Sequence, residues 1–119
     1  MFYNVEDMKR ETASTIGEFE QLILLTLLRL SDNAYGTTIH QELQKRTGRE
    51  VSISAVYTTL DRLESKGFVR SHIGDPSPRR GGRRKKFYVL EPAGAEALSR
   101  SYRQYRDMIA GLERRLQKL

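Results

Sequence analysis

The chain has no cysteine, no tryptophan and only three prolines in 119 residues. Without cysteine there is no disulfide framework and no thiolate metal site. Such a chain suits a reducing compartment, and a cytoplasmic location is expected. Long apolar runs are missing too. The longest, Leu22 to Leu28, is broken by Thr26 and falls far short of the roughly 20 residues of a membrane-spanning helix. The stretch Met1 to Lys9 carries Glu6 and Asp7 and has no apolar centre, so no secretory signal is expected. The two histidines, His40 and His72, are far apart in sequence and belong to no metal-spaced motif. His40 reads as a surface helix residue and His72 as a strand residue. There is no Gly-x-Ser-x-Gly elbow and no Walker-type phosphate loop. Glu18 and Glu20 do not face each other on a helix, which leaves no paired carboxylates for acid–base work. No enzyme activity, cofactor or metal is expected.

What the chain does have is concentrated basic charge. Its net charge is +6. Residues 1–66 carry 8 basic and 10 acidic side chains, and residues 91–119 carry 6 and 4. The segment 67–90 carries 7 basic and 1 acidic, which equals the whole excess. A field localised in this way points to a polyanion.

The hydrophobic pattern divides the chain into elements. Residues 1–14 are weakly patterned, with Phe2, Val5 and Met8 at helical spacing. They form either a short helix against a partner or a fraying end. Thr15-Ile16-Gly17-Glu18 reads as a capping box with Thr15 as N-cap and Glu18 reaching back. The helix that follows is apolar over most of its circumference, from Ile16 through Leu30, which predicts a central position in the core. Ser31-Asp32-Asn33 ends it. A second helix is expected from about Tyr35 to Arg46, with Gly48 as its C-terminal cap. A third runs from about Ser52 or Ser54 to Lys66, with Ile53, Val56, Leu60 and Leu63 as its buried stripe. The period then changes. Phe68 to Ile73 and Lys86 to Leu90 read as two strands around a long basic loop. Pro92 suits the first turn of a last helix. That helix is expected to reach Leu119, about 40 Å away. Leu98, Tyr102, Tyr105, Ile109, Leu112, Leu116 and Leu119 form its heptad seam, a dimerisation surface.

The expected fold is mainly α with a small β-hairpin. A winged helix-turn-helix spans residues 15–91, and a long dimerisation helix spans 92–119. A major groove about 12 Å wide admits one α-helix. The third helix suits it, because its buried stripe leaves Ser54, Tyr57, Thr58, Asp61 and Arg62 on other faces. The hydroxyls of Ser54, Tyr57 and Thr58 reach bases or phosphates without the desolvation cost of a charge. Arg79, Arg80, Arg83, Arg84, Lys85 and Lys86 put six cations within eight residues, interrupted only by Gly81 and Gly82. A hairpin tip of this kind lies along a phosphate backbone or enters a minor groove.

Three blocks carry a specific resemblance. They are Gly17-Glu18-Phe19-Glu20-Gln21-Leu22-Ile23-Leu24 with Ala34-Tyr35-Gly36, Ser54-Ala55-Val56-Tyr57-Thr58-Thr59-Leu60-Asp61-Arg62-Leu63-Glu64, and Gly82 through Gly94. Together with Gly67-Phe68-Val69 they resemble the PadR family of transcriptional regulators over about residues 16–98. The resemblance implies a dimeric winged helix-turn-helix, usually a repressor, sometimes released by a small aromatic or cationic ligand. It implies that Tyr35, Tyr57, Thr58 and the wing arginines meet DNA. Tyr102 and Tyr105 are the candidate aromatics for an effector, set against the plainer role of packing in the seam. Glu91 departs from the family's threonine before the proline. The short C-terminus matches the family's small subgroup.

Two other readings stand beside this one. In the first, the chain is a protein-interaction module whose basic loop docks an acidic partner. In the second it binds RNA, but the sheet motif with stacking aromatics is missing, since Phe87 and Tyr88 point to opposite faces.

Overall fold

The computed structural model describes residues 15–74 and 84–119. The expectations for residues 1–14 and for Arg79, Arg80 and Arg83 lie outside the described residues.

Helix α1 spans Glu18–Leu30 and a 3₁₀ turn spans Ser31–Asn33. Helix α2 spans Gly36–Thr47 and α3 spans Ile53–Ser65. Strands β1 (Val69–Ile73) and β2 (Lys86–Leu90) pair antiparallel, with Val69 opposite Leu90 and Ile73 opposite Lys86. Helix α4 spans Pro92–Ile109 and a short α5 spans Glu113–Gln117. This is a mainly helical winged-helix fold with one two-stranded hairpin, as the sequence predicts.

One core joins the elements. Ile23, Leu24 and Leu27 of α1 pack with Ile39 and Leu43 of α2 and with Val56, Leu60 and Leu63 of α3. Tyr88 of β2, Val69 of β1, and Ala97 and Leu98 of α4 close it from the other side. Each of the leucine, isoleucine and valine side chains among these gains about 1.5–3 kcal/mol by leaving water.

The ends of the elements have identifiable causes. Gly48 caps α2 at φ +71°, in the left-handed region that glycine enters without steric cost. The Ser52 hydroxyl caps α3 by accepting from the Ala55 N–H at 3.1 Å. The turn between α2 and α3 is pinned from α2. His40 Nε2 bonds the Val51 carbonyl at 2.5 Å, and Gln44 accepts from the Val51 N–H at 3.2 Å. His40 is thus half-buried rather than a free surface residue. Pro92 opens α4 as expected. Glu91 makes no side-chain cap there and pairs instead with Arg70 at 2.9 Å.

Four local expectations are corrected. The N-cap of α1 is Gly17, not Thr15, and Glu20, not Glu18, reaches back to it, accepting from the Gly17 N–H at 2.8 Å. Glu18 pairs with Arg49 instead. In α3 the buried set is Val56, Thr59, Leu60 and Leu63, while Ile53 is 42% exposed. Ile53 sits in the first turn, outside the residues packed on the core. Helix α1 is not covered all round, because Leu25 and Leu28 face outward. Finally, the last helix does not run unbroken to Leu119. It ends at Ile109, and Gly111 turns the chain at φ +86°. The Gly111 N–H donates to Glu113 at 3.1 Å, which starts α5. A count of apolar spacing alone passes over such a glycine. The expected seam is therefore in two pieces, and its first member, Leu98, belongs to the chain's own core.

Candidate nucleic-acid interface

Helix α3 presents one polar face. Ser54, Tyr57, Thr58, Asp61 and Arg62 are all exposed, and steps of three and four residues place them on one stripe. The opposite stripe anchors the helix to the core. A tie to the wing holds α3 further, because the Ser71 hydroxyl of β1 donates to Glu64 at 2.6 Å.

The wing root is built around Phe87. Its ring meets the Tyr35 ring edge-on at 5.5 Å and stacks on the His72 ring at 5.6 Å. The backbone repeats the link. Tyr35 and Phe87 form a single antiparallel bridge, and the Tyr88 N–H donates to the Ala34 carbonyl at 2.8 Å. Residues 34–35 thus close the outer edge of β2, which would otherwise leave donors and acceptors unpaired.

Tyr35 is also the N-cap residue of α2. Its N–H donates to the Thr38 hydroxyl at 3.0 Å, and that hydroxyl donates to the Asn33 carbonyl at 2.6 Å. Above its ring lies Lys85, with Nζ 4.2 Å from the centroid and 3.2 Å from the phenol oxygen. The ring face attracts the cation. Lys85 is held half-buried, whereas Arg84 and Lys86 stand exposed beside it.

These residues line one open groove between α2, α3 and the wing: Tyr35, Gly36, Thr37, Tyr57, Arg84, Lys85 and Lys86. Five of them were expected from the sequence. Ser54, Thr58 and Arg62 lie along α3 outside the groove lining. Gly36 and Thr37 were missed. The one available signal was a glycine at the first helical position, where its flexibility is of no use. The groove offers three cations, two phenols and a helix N-terminus, a set suited to phosphate and base edges.

The fold agrees with the family comparison. The model for "Transcriptional regulator PadR-like family" matches residues 24–100. The chain belongs to the PadR-like family. Solved PadR-type structures share its fold. A PadR family transcription regulator from hypervirulent Clostridium difficile R20291 aligns with TM-score 0.70 and 26% identity, over 84% of this chain and 99% of that one. A PadR-like transcriptional regulator from Bacillus cereus strain ATCC 14579 aligns with TM-score 0.66 and 22% identity, over 85% and 92%. A Streptococcus transcriptional regulator aligns with TM-score 0.66 and 24% identity, over 80% and 88%. No curated protein matches the chain. PadR-like proteins are transcriptional regulators. Among the described residues no three His, Asp or Glu side chains cluster to hold a metal ion. No described helix is long and apolar enough to cross a membrane.

The residues that the sequence suggests for a dimer and effector surface lie in and around α4 and α5. Tyr102 is 63% exposed and Tyr105 54%. Ile109 is half-buried, and Leu112, Leu116 and Leu119 are exposed.

Proposed function

We propose that the chain is a homodimeric, sequence-specific repressor of transcription that binds duplex DNA in the cytoplasm. The observation that carries this reading is the groove in which Tyr57 of α3 and the wing cations Arg84, Lys85 and Lys86 converge. In this reading α3 enters the major groove. Tyr57 and Thr58 read base edges, with Ser54 and Arg62 beside them. The wing, including Arg79, Arg80 and Arg83, follows the phosphates.

Dimerisation is supported by apolar surface that is exposed among the described residues. Leu25 and Leu28 on α1 and Tyr102, Tyr105 and Met108 on α4 are all exposed. Such surface commonly marks an association site. A two-fold dimer sets two recognition helices about 34–36 Å apart, so the operator is palindromic. In this reading the exposed Tyr102 and Tyr105 are the aromatics that would hold a planar aromatic or cationic effector, whose binding releases the operator.

A salt titration tests the DNA reading and separates it from docking to an acidic protein. Log affinity for duplex should fall with log salt by about 0.9 per phosphate neutralised. Arg83→Ala with Arg84→Ala should flatten that slope and weaken all duplexes alike. Duplex binding indifferent to salt would overturn the reading.

A further inference from the structure

Gly36 is buried at the first residue of α2, against the polar face of α3. A methyl group on it would lie 2.0 Å from the Tyr57 hydroxyl oxygen and 2.4 Å from Cζ. No real contact is that close, so the end of the phenol rests on a bare Cα. The backbone does not explain the glycine. Gly36 is not in the left-handed region, unlike Gly48, Gly67 and Gly111, and at such a position alanine is the better helix former. Among the described residues, the three atoms nearest that missing methyl all belong to the Tyr57 phenol.

We propose that Gly36 is a positioning residue for base reading: it seats the Tyr57 phenol so that α3 presents that hydroxyl in a single orientation. The proposal rests on the reading of α3 as the groove helix. A tyrosine 42% exposed on a helix face has several rotamers open to it. Ordering them on binding lowers affinity for the right sequence. A seat removes that cost before DNA arrives. The seat itself is fixed. Its neighbour Tyr35 is bridged to Phe87 and lies under Lys85. The phenol's orientation is thereby referred to the wing as well as to its own helix.

The test uses the full chain and two probes: a duplex recovered by the wild-type protein from a random-sequence library, and an unselected duplex. Gly36→Ala should lower the selected-to-unselected affinity ratio roughly tenfold, the scale of one lost base contact, with the salt slope unchanged. In a Tyr57→Ala background the same change should have no further effect on the ratio, because no phenol is left to displace. The double variant should also melt at or above Tyr57→Ala alone. That arm holds even if Gly36→Ala by itself folds poorly. Additive losses of ratio, an unchanged ratio in folded Gly36→Ala, or a double variant that does not fold would each overturn the proposal. A Tyr57→Ala protein with the wild-type ratio would instead overturn the reading of α3 itself, and this proposal with it.

Discussion

Glu20 near the start of α1 forms an ion pair with Lys66 at the end of α3, at 2.9 Å, with the carboxylate side chain 7% exposed. The same carboxylate accepts from the Gly17 N–H. One residue therefore starts α1 and ties it to α3. Glu20→Ala leaves an ammonium facing a buried site and an orphaned N–H. Removing one partner of such a pair costs about 3 kcal/mol. A urea titration should show that loss with m unchanged. A loss below about 1 kcal/mol would mean the pair behaves as a solvated one.

Gly94, in the first turn of α4, packs on the wing. A methyl there would lie 2.2 Å from the Phe68 carbonyl oxygen and 2.9 Å from Leu90 Cδ1. The obstacle is backbone, and that carbonyl already accepts from the Glu91 N–H at 2.9 Å. Gly94→Ala should therefore destabilise by about 1–3 kcal/mol through overpacking, against its gain in helix propensity. Calorimetry should show Tm lower by several degrees. A Tm at or above wild type would contradict the close contact.

Burial pushes the Tyr88 phenol up to about 12, aided by the charges of Asp61 and Glu64 and by Tyr57. The unfolded phenol titrates near 10. Folding thus favours the neutral form. This share of stability is intact below pH 10 and is lost as pH rises from about 10 to about 12, roughly 2 kcal/mol in all. Tyr88→Phe should lose less stability than wild type over that window. Equal declines in both proteins would show that Tyr88 does not contribute.

Ile109 and Leu112 flank the turn at Gly111. If this region pairs two copies, Ile109→Asp with Leu112→Asp puts unpaired charge into the interface. Sedimentation should then show a monomer. Operator affinity should fall steeply while the melting of the winged domain is kept. A double variant that stays dimeric and binds normally would place the interface elsewhere, with Leu25 and Leu28 as the next surface to probe.

Most of the candidate site was legible because its signals are local. Cations crowded within a few residues, and hydroxyls spaced by three and four on α3, are visible without knowing what lies opposite. The pairing of Lys85 with Tyr35 was not legible, since 50 positions separate them. Nor was the seat of Tyr57 on Gly36, because nothing in either neighbourhood names the other.

The amino-acid sequence by itself determined the element order, the hairpin, the basic wing and the polar face of α3. Those follow from periodicity and turn chemistry, which act over one or two turns of chain. Tertiary structure decided between local options of nearly equal energy. Thr15 with Glu18 and Gly17 with Glu20 are both plausible starts for α1. The second prevails because Glu20 meets Lys66, 46 residues away. Thr59 rather than Ile53 is buried because the core closes over the middle of α3 and not over its first turn. Leu98 turns inward because α4 lies against its own domain there. In each case the deciding energy is burial or pairing against an element distant in sequence, a quantity that exists only once the chain has folded.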